Sequence, residues 1–304
     1  MSQAKKFVSG FVSILGRPNA GKSTLMNALL GTKLAIVSSK PQTTRQAVQG
    51  VLNLDGAQVV FMDTPGVHEG GLLIHKRMMD AVREGLKERD LLLWMTDATQ
   101  EFSQAEAESL ELLRDGQTPV FLLLNKIDRI KDKQQLLPLI EACTKAFPFE
   151  ECIPVSALTG EGLTELRSLI VGKLPEGPQY FPPDFLTDQP ERYLAAELIR
   201  ERILEATRQE VPHSVAVLVE QWEQKDAVTR ISALIFVERD THKGIIIGAR
   251  GAMLKKIGTE ARLEMEALFG RKIFLEMFVK VRPRWRENPE FLNEIDWRYM
   301  AGGR

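Results

Sequence analysis

Residues 16–23 read GRPNAGKS, directly behind the apolar run FVSIL and directly ahead of the amphipathic segment TLMNALLG. A strand-like run, a glycine-bounded turn and a helix-like segment are the setting in which G-x-x-x-x-G-K-[ST] forms a phosphate-binding loop. Gly16 and Gly21 let backbone N–H groups curl around a β-phosphate, and the helix N-terminus adds partial positive charge. Lys22 is placed to neutralise the β and γ oxygens, and Ser23 to ligate Mg²⁺. Arg17, Pro18, Asn19, Ala20 and Thr24 complete the nucleotide-binding loop.

Working outward, further apolar runs follow at AQVVFMD, DLLLWMTD, PVFLLLN and CIPVS, with helical segments such as HKRMMDAVREGLKE between most of them. Runs without polar alternation are what strands buried on both faces look like. The pattern predicts an α/β fold, a doubly wound, mostly parallel sheet with its ligand at the C-terminal strand ends. The polar motifs all fall at those ends. DTPG places Asp63 to hold Mg²⁺ through a water and Gly66 to donate its N–H to a γ-phosphate, with Thr64 and Pro65 between them. In PQTTRQ, Thr44 rather than Thr43 is assigned to reach Mg²⁺.

The base is read by NKID, Asn125 to Asp128. The Asp128 carboxylate accepts two hydrogen bonds from guanine, whereas adenine offers an acceptor at the same place, so a mismatch buries an unpaired charge. Lys126 lays its stem along base and sugar. Ser156, Ala157 and Leu158, after CIPV, supply backbone groups to the guanine carbonyl. The ligand expected is therefore GTP or GDP.

The chain of 304 residues is long enough for about two domains. Forty basic residues against 41 acidic ones exclude a grossly charged nucleic-acid binder, so any basic surface is local. Cys143 and Cys152 lack metal spacing and read as reduced thiols of a cytosolic protein. The N-terminus resembles a signal peptide but reads better as a first strand, and no apolar run approaches the ~20 residues of a transmembrane helix. Five prolines within 175–190 mark a linker. The expected division is 1–175 for the nucleotide domain, 176–190 for the linker and 191–304 for a second domain.

That second domain reads α-β-β-α-α-β. Between its second and third helical segments stands Gly248, Ala249, Arg250, Gly251, a G-x-x-G loop at which RNA backbone can approach closely, with Lys255 and Lys256 behind it. Residues 243–286 hold eleven basic and four acidic side chains, a local footprint for RNA in a chain otherwise acidic. In the tail, Trp297 and Tyr299 read as packing or disordered residues rather than base-stacking ones.

The ordered motifs GRPNAGKS, PQTTRQ, DTPGV, NKID and SAL resemble the translation-factor-related GTPases of the TrmE–Era–EngA class. Followed by the order of a type II KH domain, which is α+β, they resemble the Era family of bacterial GTPases. The resemblance implies a GTPase that hydrolyses GTP to GDP with Mg²⁺, and a KH domain that grips the 16S rRNA 3′ region. It further implies a role in 30S small-subunit assembly and rRNA maturation, by a monomer in the cytoplasm with peripheral association at the inner membrane. In Ras-like switches a glutamine that orients water follows the DTPG-type glycine; here that place holds Val67, a hydrophobic residue as in this class. Slow intrinsic turnover is the consequence. Lys22, Thr44 and Gly66 then carry catalysis, with Asn19, which in several relatives helps to hold K⁺; a partner that orders Thr43 and Thr44 is the other substitute. His68 and Arg45 are further candidates. The rival readings are a GTPase acting on another RNA, such as in tRNA modification, and a membrane-associated adaptor for which nucleotide is structural. No second nucleotide domain and no C-terminal cysteine speak for the tRNA reading.

Overall fold

In β1 (Val8–Gly16), seven of nine residues are buried, which is why its sequence shows no clean polar alternation. The computed structural model describes residues 6–67, 70–207, 211–225 and 227–300; His68 and the side chain of Tyr299 lie outside them. The chain divides into two units, residues 1–35, 44–69 and 77–188 in one, and Ile36–Thr43, Gly70–Lys76 and 189–304 in the other.

The first unit is built on a six-stranded sheet of order β2-β3-β1-β4-β5-β6, with β2 (Val48–Leu54), β3 (Ala57–Asp63), β4 (Leu91–Asp97), β5 (Val120–Asn125) and β6 (Glu151–Pro154). Only β2 runs antiparallel to its neighbour; the other pairings are parallel. The helices are α1 (Lys22–Leu30), α2 (Leu73–Leu86, which begins in the second unit), α3 (Gln104–Leu110), α4 (Leu136–Ala146) and α5 (Leu163–Lys173). Strand order reverses at β1, between β3 and β4, and the C-terminal ends of β1, β3, β4 and β5 carry the polar motifs. This is the doubly wound, mostly parallel sheet that the apolar runs predict. The stretch VQGVLNL, not among those runs, forms β2.

Residues 176–187, read from composition as a linker, lie along this sheet as a strap. Gln58, fully buried within β3, accepts from Tyr180 N (2.8 Å) and Phe181 N (3.0 Å) and donates to Phe181 O (2.9 Å). Val51 N donates to Leu186 O, and the Thr187 hydroxyl to Gln49 O. Prolines remove donors without removing acceptors, so a proline-rich segment can still be held by its carbonyls and remaining amides.

The second unit follows the expected α-β-β-α-α-β order: α6 (Glu191–Ala206), β7 (Ala216–Gln224), β8 (Thr229–Val237), α7 (Asp240–Ile247), α8 (Ala252–Phe269) and β9 (Ile273–Val281), then α9 (Pro289–Glu294) and α10 (Trp297–Met300). The sheet order is β7-β8-β9, with β8 and β9 parallel. One face of the sheet packs on the helices through Val217, Ile231, Ile235, Ile257 and Met265, among others. Ile36 belongs to the same cluster. Val37 N donates to the buried Glu201 carboxylate (2.7 Å), and the Arg200 guanidinium, 2% exposed, bonds Thr43 O. Near the C-terminal end, Trp285 donates to Ser214 O and packs edge-on against Phe291, so the tail contributes to the core.

Candidate nucleotide and RNA sites

The loop from Gly16 to Gly21 turns through three positive φ angles, 138° at Gly16, 63° at Asn19 and 105° at Gly21. Gly21 is doubly constrained: a Cβ there would lie 2.2 Å from the Asn125 amide nitrogen. Helix α1 starts at Gly21 with no side-chain cap and no acid in its first turn, so its N–H groups are left for an anion. By contrast, α3 is capped by Ser103.

Lys22 is buried, and its ammonium donates to Gly16 O (3.0 Å) and Arg17 O (2.9 Å). Burial pushes its pKa down to about 8, against the opposing pull of Asp63. Asp63, fully buried, is pushed up to about 6 by desolvation, with Lys22, Ser23 and Thr44 acting the other way. Ser23 donates to Asp63 Oδ2 (2.6 Å), and the Ser23 and Thr44 hydroxyls are 2.9 Å apart. Asp63 Oδ1 is buried without a partner. Two hydroxyls and a carboxylate with an unpaired buried oxygen form the hard-oxygen set that suits Mg²⁺. A cation there and phosphate oxygens on the lysine side would each restore the charge that burial disfavours. Thr43 does not join this cluster; its hydroxyl donates to Lys40 O (2.6 Å).

Asn125 ties the loop of residues 16–21 to the loop that follows β6. Its amide nitrogen donates to Ala20 O (2.7 Å), and its oxygen accepts from Ala157 N (2.9 Å), at 3% exposure. Lys126 takes a left-handed conformation, φ 71°, and pairs with Asp97 at the end of β4. Burial alone would raise the Asp97 pKa, but Lys126 and Thr99 outweigh it and hold the carboxyl below its ordinary range. Asp128 stays exposed, one oxygen fixed by the Ser156 hydroxyl at 2.6 Å. Asp97 and Ser156 thus orient Lys126 and Asp128. The acid ending DLLLWMTD was the available signal for the first of these.

Other residues named from sequence play backbone or packing parts. The Thr64 hydroxyl, fully buried, donates to Ile14 O (2.9 Å), and Leu158 is 74% exposed. Pro65 and Gly66 are buried beside the loop, and a Cβ on Gly66 would meet Pro18 N at 2.6 Å. Asn19 is exposed and Thr24 half-buried. Val67 is turned away from the site. Its N–H donates to Gly16 O (3.1 Å), and its side chain, 7% exposed, joins the apolar cluster of Leu15, Val82 and Trp94.

In the second unit, Gly248, Arg250 and Gly251 all have positive φ (71°, 51° and 79°). A Cβ on Gly248 would sit 2.6 Å from Met253 Cβ, so the turn fits only glycine. Helix α8, like α1, begins at a glycine with no side-chain cap and no acid in its first turn. A groove behind the loop is lined by Gly251, Leu254, Lys255, Arg262, Leu275 and Met277. Several cations counted from sequence are already neutralised: Arg262 and Lys272 on Glu266, Arg271 on Glu191, Arg282 on Glu294, Arg286 on Glu238. Lys256 approaches Glu260 at 3.9 Å. Among the described residues, Lys243, Arg250, Lys255, Lys280 and Arg284 make no ion pair.

Comparison with known proteins bears on both units. Residues 11–126 match the family described as 50S ribosome-binding GTPase, and residues 210–286 match the KH domain. GTPase Era of Geotalea uraniireducens is 49% identical over 294 residues, covering 96% of this chain and 99% of that protein. The chain belongs to the Era GTPase family. GTPase Era of Geobacter metallireducens, 48% identical, spans the same 96% of this Era-family chain. Among solved structures, Era in complex with MgGDPNP and nucleotides 1506–1542 of 16S ribosomal RNA superposes with a TM-score of 0.93 at 41% identity, over 96% of this chain and 99% of that one. A single-residue variant of Aquifex aeolicus Era bound to GDP·AlF₄⁻ gives the same TM-score at 42% identity and the same coverage. No helix among the described residues is long and apolar enough to cross a membrane.

Proposed function

We propose that this chain binds GTP with Mg²⁺, hydrolyses it to GDP, and grips the 3′ region of 16S rRNA in small-subunit assembly. One observation carries the reading. The relative solved with both a GTP analogue and that RNA superposes over nearly the whole chain, and the corresponding elements here keep an uncapped, glycine-started helix at each site.

Bound Mg²⁺, which Ser23, Thr44 and Asp63 would hold, would supply positive charge against the charge that develops on the transferred phosphoryl group. The chain's own residues do the rest. Lys22 exchanges its two backbone carbonyls for phosphate oxygens, and the α1 N–H groups receive the β-phosphate. Ser23 and Thr44 offer hydroxyls toward the cation, with Asp63 behind them. Asp128 selects guanine while Ser156 holds it in position. With Val67 buried, no side chain at that position meets the water, so the reading includes slow intrinsic turnover and leaves room for K⁺ at Asn19. Arg250 and Lys255 meet RNA phosphates beside the G-x-x-G turn.

The test is GTP turnover by the purified chain, with and without RNA covering nucleotides 1506–1542, in potassium and in sodium salts. Slow turnover, RNA binding lost in Gly251→Asp and nucleotide binding kept in that variant are expected. Zero turnover in every condition would leave an adaptor, and equal rates in both salts would remove the role given to Asn19. The reading extends to a monomer in the cytoplasm; flotation with vesicles tests peripheral attachment at the inner membrane.

A further inference from the structure

Strand β9 is an edge strand whose two faces differ in what covers them. Leu275 and Met277 face the helices and floor the G-x-x-G groove. The alternate residues face the other side of the sheet, where Phe274 is 49% and Phe278 54% exposed. Burying a phenylalanine is favourable by about 2 kcal/mol, so two half-open rings on one strand face mark a surface made to be covered. Among the described residues, the tail reaches the far end of that face, where Phe291 packs on Phe236 at 4.8 Å.

The surroundings of the rings choose the partner. Arg230, paired with Phe274 across the β8–β9 ladder, lies over its ring at 5.6 Å. Lys280 stands on the same face two residues beyond Phe278, with Glu276 on its other side. Neither Arg230 nor Lys280 makes an ion pair among the described residues. Aromatic rings flanked by cations that make no ion pair, here with Glu276 between the rings, are what unpaired bases stack upon on an open sheet face.

We propose that this face is a second RNA surface, on which single-stranded RNA leaving the groove around the edge of β9 stacks its bases on Phe274 and Phe278. The proposal rests on the RNA reading above. Groove and platform are the two sides of one strand, with no further strand beyond it among the described residues, so the path between them is one backbone thick. The rings are about 13 Å apart along the strand, which suits two bases not adjacent in a stack. A G-x-x-G loop clamps about four nucleotides, whereas the RNA held by the similar Era structure spans nucleotides 1506–1542. Most of such an RNA therefore lies outside the groove, within reach of the neighbouring face.

The test compares Phe274→Ala/Phe278→Ala with the unaltered full chain, using fluorescence anisotropy. The probes are RNA covering nucleotides 1506–1542 and the tetranucleotides drawn from its single-stranded part. Each lost stack weakens binding of the long RNA by about fivefold, the lower end of the range for base–aromatic contacts. Tetranucleotide affinity and GDP binding, measured well below the melt, stay unchanged, and Phe274→Tyr/Phe278→Tyr restores the long RNA. Unchanged affinity for the long RNA overturns the proposal, as does equal loss with long and short RNA. Dissociation of a dimer by the alanine variant, with RNA affinity intact, would give the face to a second copy instead. Gly251→Asp separates this from failure of the RNA reading itself, which is refuted if that variant binds both RNAs normally.

Discussion

Val67→Gln places the Ras-like glutamine where this chain has none, and the structure predicts damage instead of gain. The valine side chain is 7% exposed within the cluster of Leu15, Val82 and Trp94, and its N–H is held by Gly16 O. Losing its burial costs about 1.5 kcal/mol, and an amide placed there without partners costs about 1–3 kcal/mol more. Together that is about 2.5–4.5 kcal/mol, or roughly 10 °C in Tm for a unit of this size. Single-turnover hydrolysis at saturating GTP, followed beside a thermal melt, is the assay. The expected outcome is a lowered Tm with no faster hydrolysis. A tenfold faster turnover at unchanged Tm would show that this side chain reaches the attacking water, and would refute the argument.

Three further outcomes follow from the geometry. Thr44→Val should lower affinity for GTP more than for GDP when Mg²⁺ is present, and Thr43→Val should not, as measured by titration with fluorescent nucleotides; similar effects would erase the distinction between the neighbours. Gln58→Ala leaves Tyr180 N and Phe181 N without their acceptor, which costs about 3 kcal/mol and should open residues 176–187 to limited proteolysis in the full chain. Burial pushes the Cys143 thiol up to about 12, with Glu106 and Cys152 adding to the effect. The folded state therefore holds this proton more tightly than the unfolded one. Its contribution is intact below the ordinary thiol value of 9.0 and is lost as pH rises toward about 12. Cys143→Ala should flatten alkaline unfolding in that window, and the native thiol should resist alkylation at pH 8.

The nucleotide site was legible because each of its motifs sits where a buried strand ends, and apolar runs announce buried strands. Strand β2 was not, since Gln49, Gly50 and Asn53 break its apolar pattern as an edge strand allows. The strap was hidden for a different reason. Its own composition is that of a linker, and the residue that anchors it, Gln58, sits over a hundred positions earlier as the one polar residue inside AQVVFM. The basic footprint of the second unit was legible as a count but not as a charge. The Arg262–Glu266 pairing can be read from helical spacing, whereas Arg271–Glu191 joins residues 80 apart. Thr43 and Thr44 are chemically identical and adjacent, so only backbone geometry parts them.

Asn125 fastens Ala20 on one side and Ala157 on the other, and this limits how the protein can change. A substitution there would slacken phosphate loop and base pocket together, so a loss of affinity would not reveal which ligand part had been released. Asp128, exposed and secured by one hydroxyl, has no such double duty. If Asp128 reads the base as proposed, nucleobase preference can drift at one letter while the frame around it stays fixed, and that letter is where a change of nucleotide would have to begin.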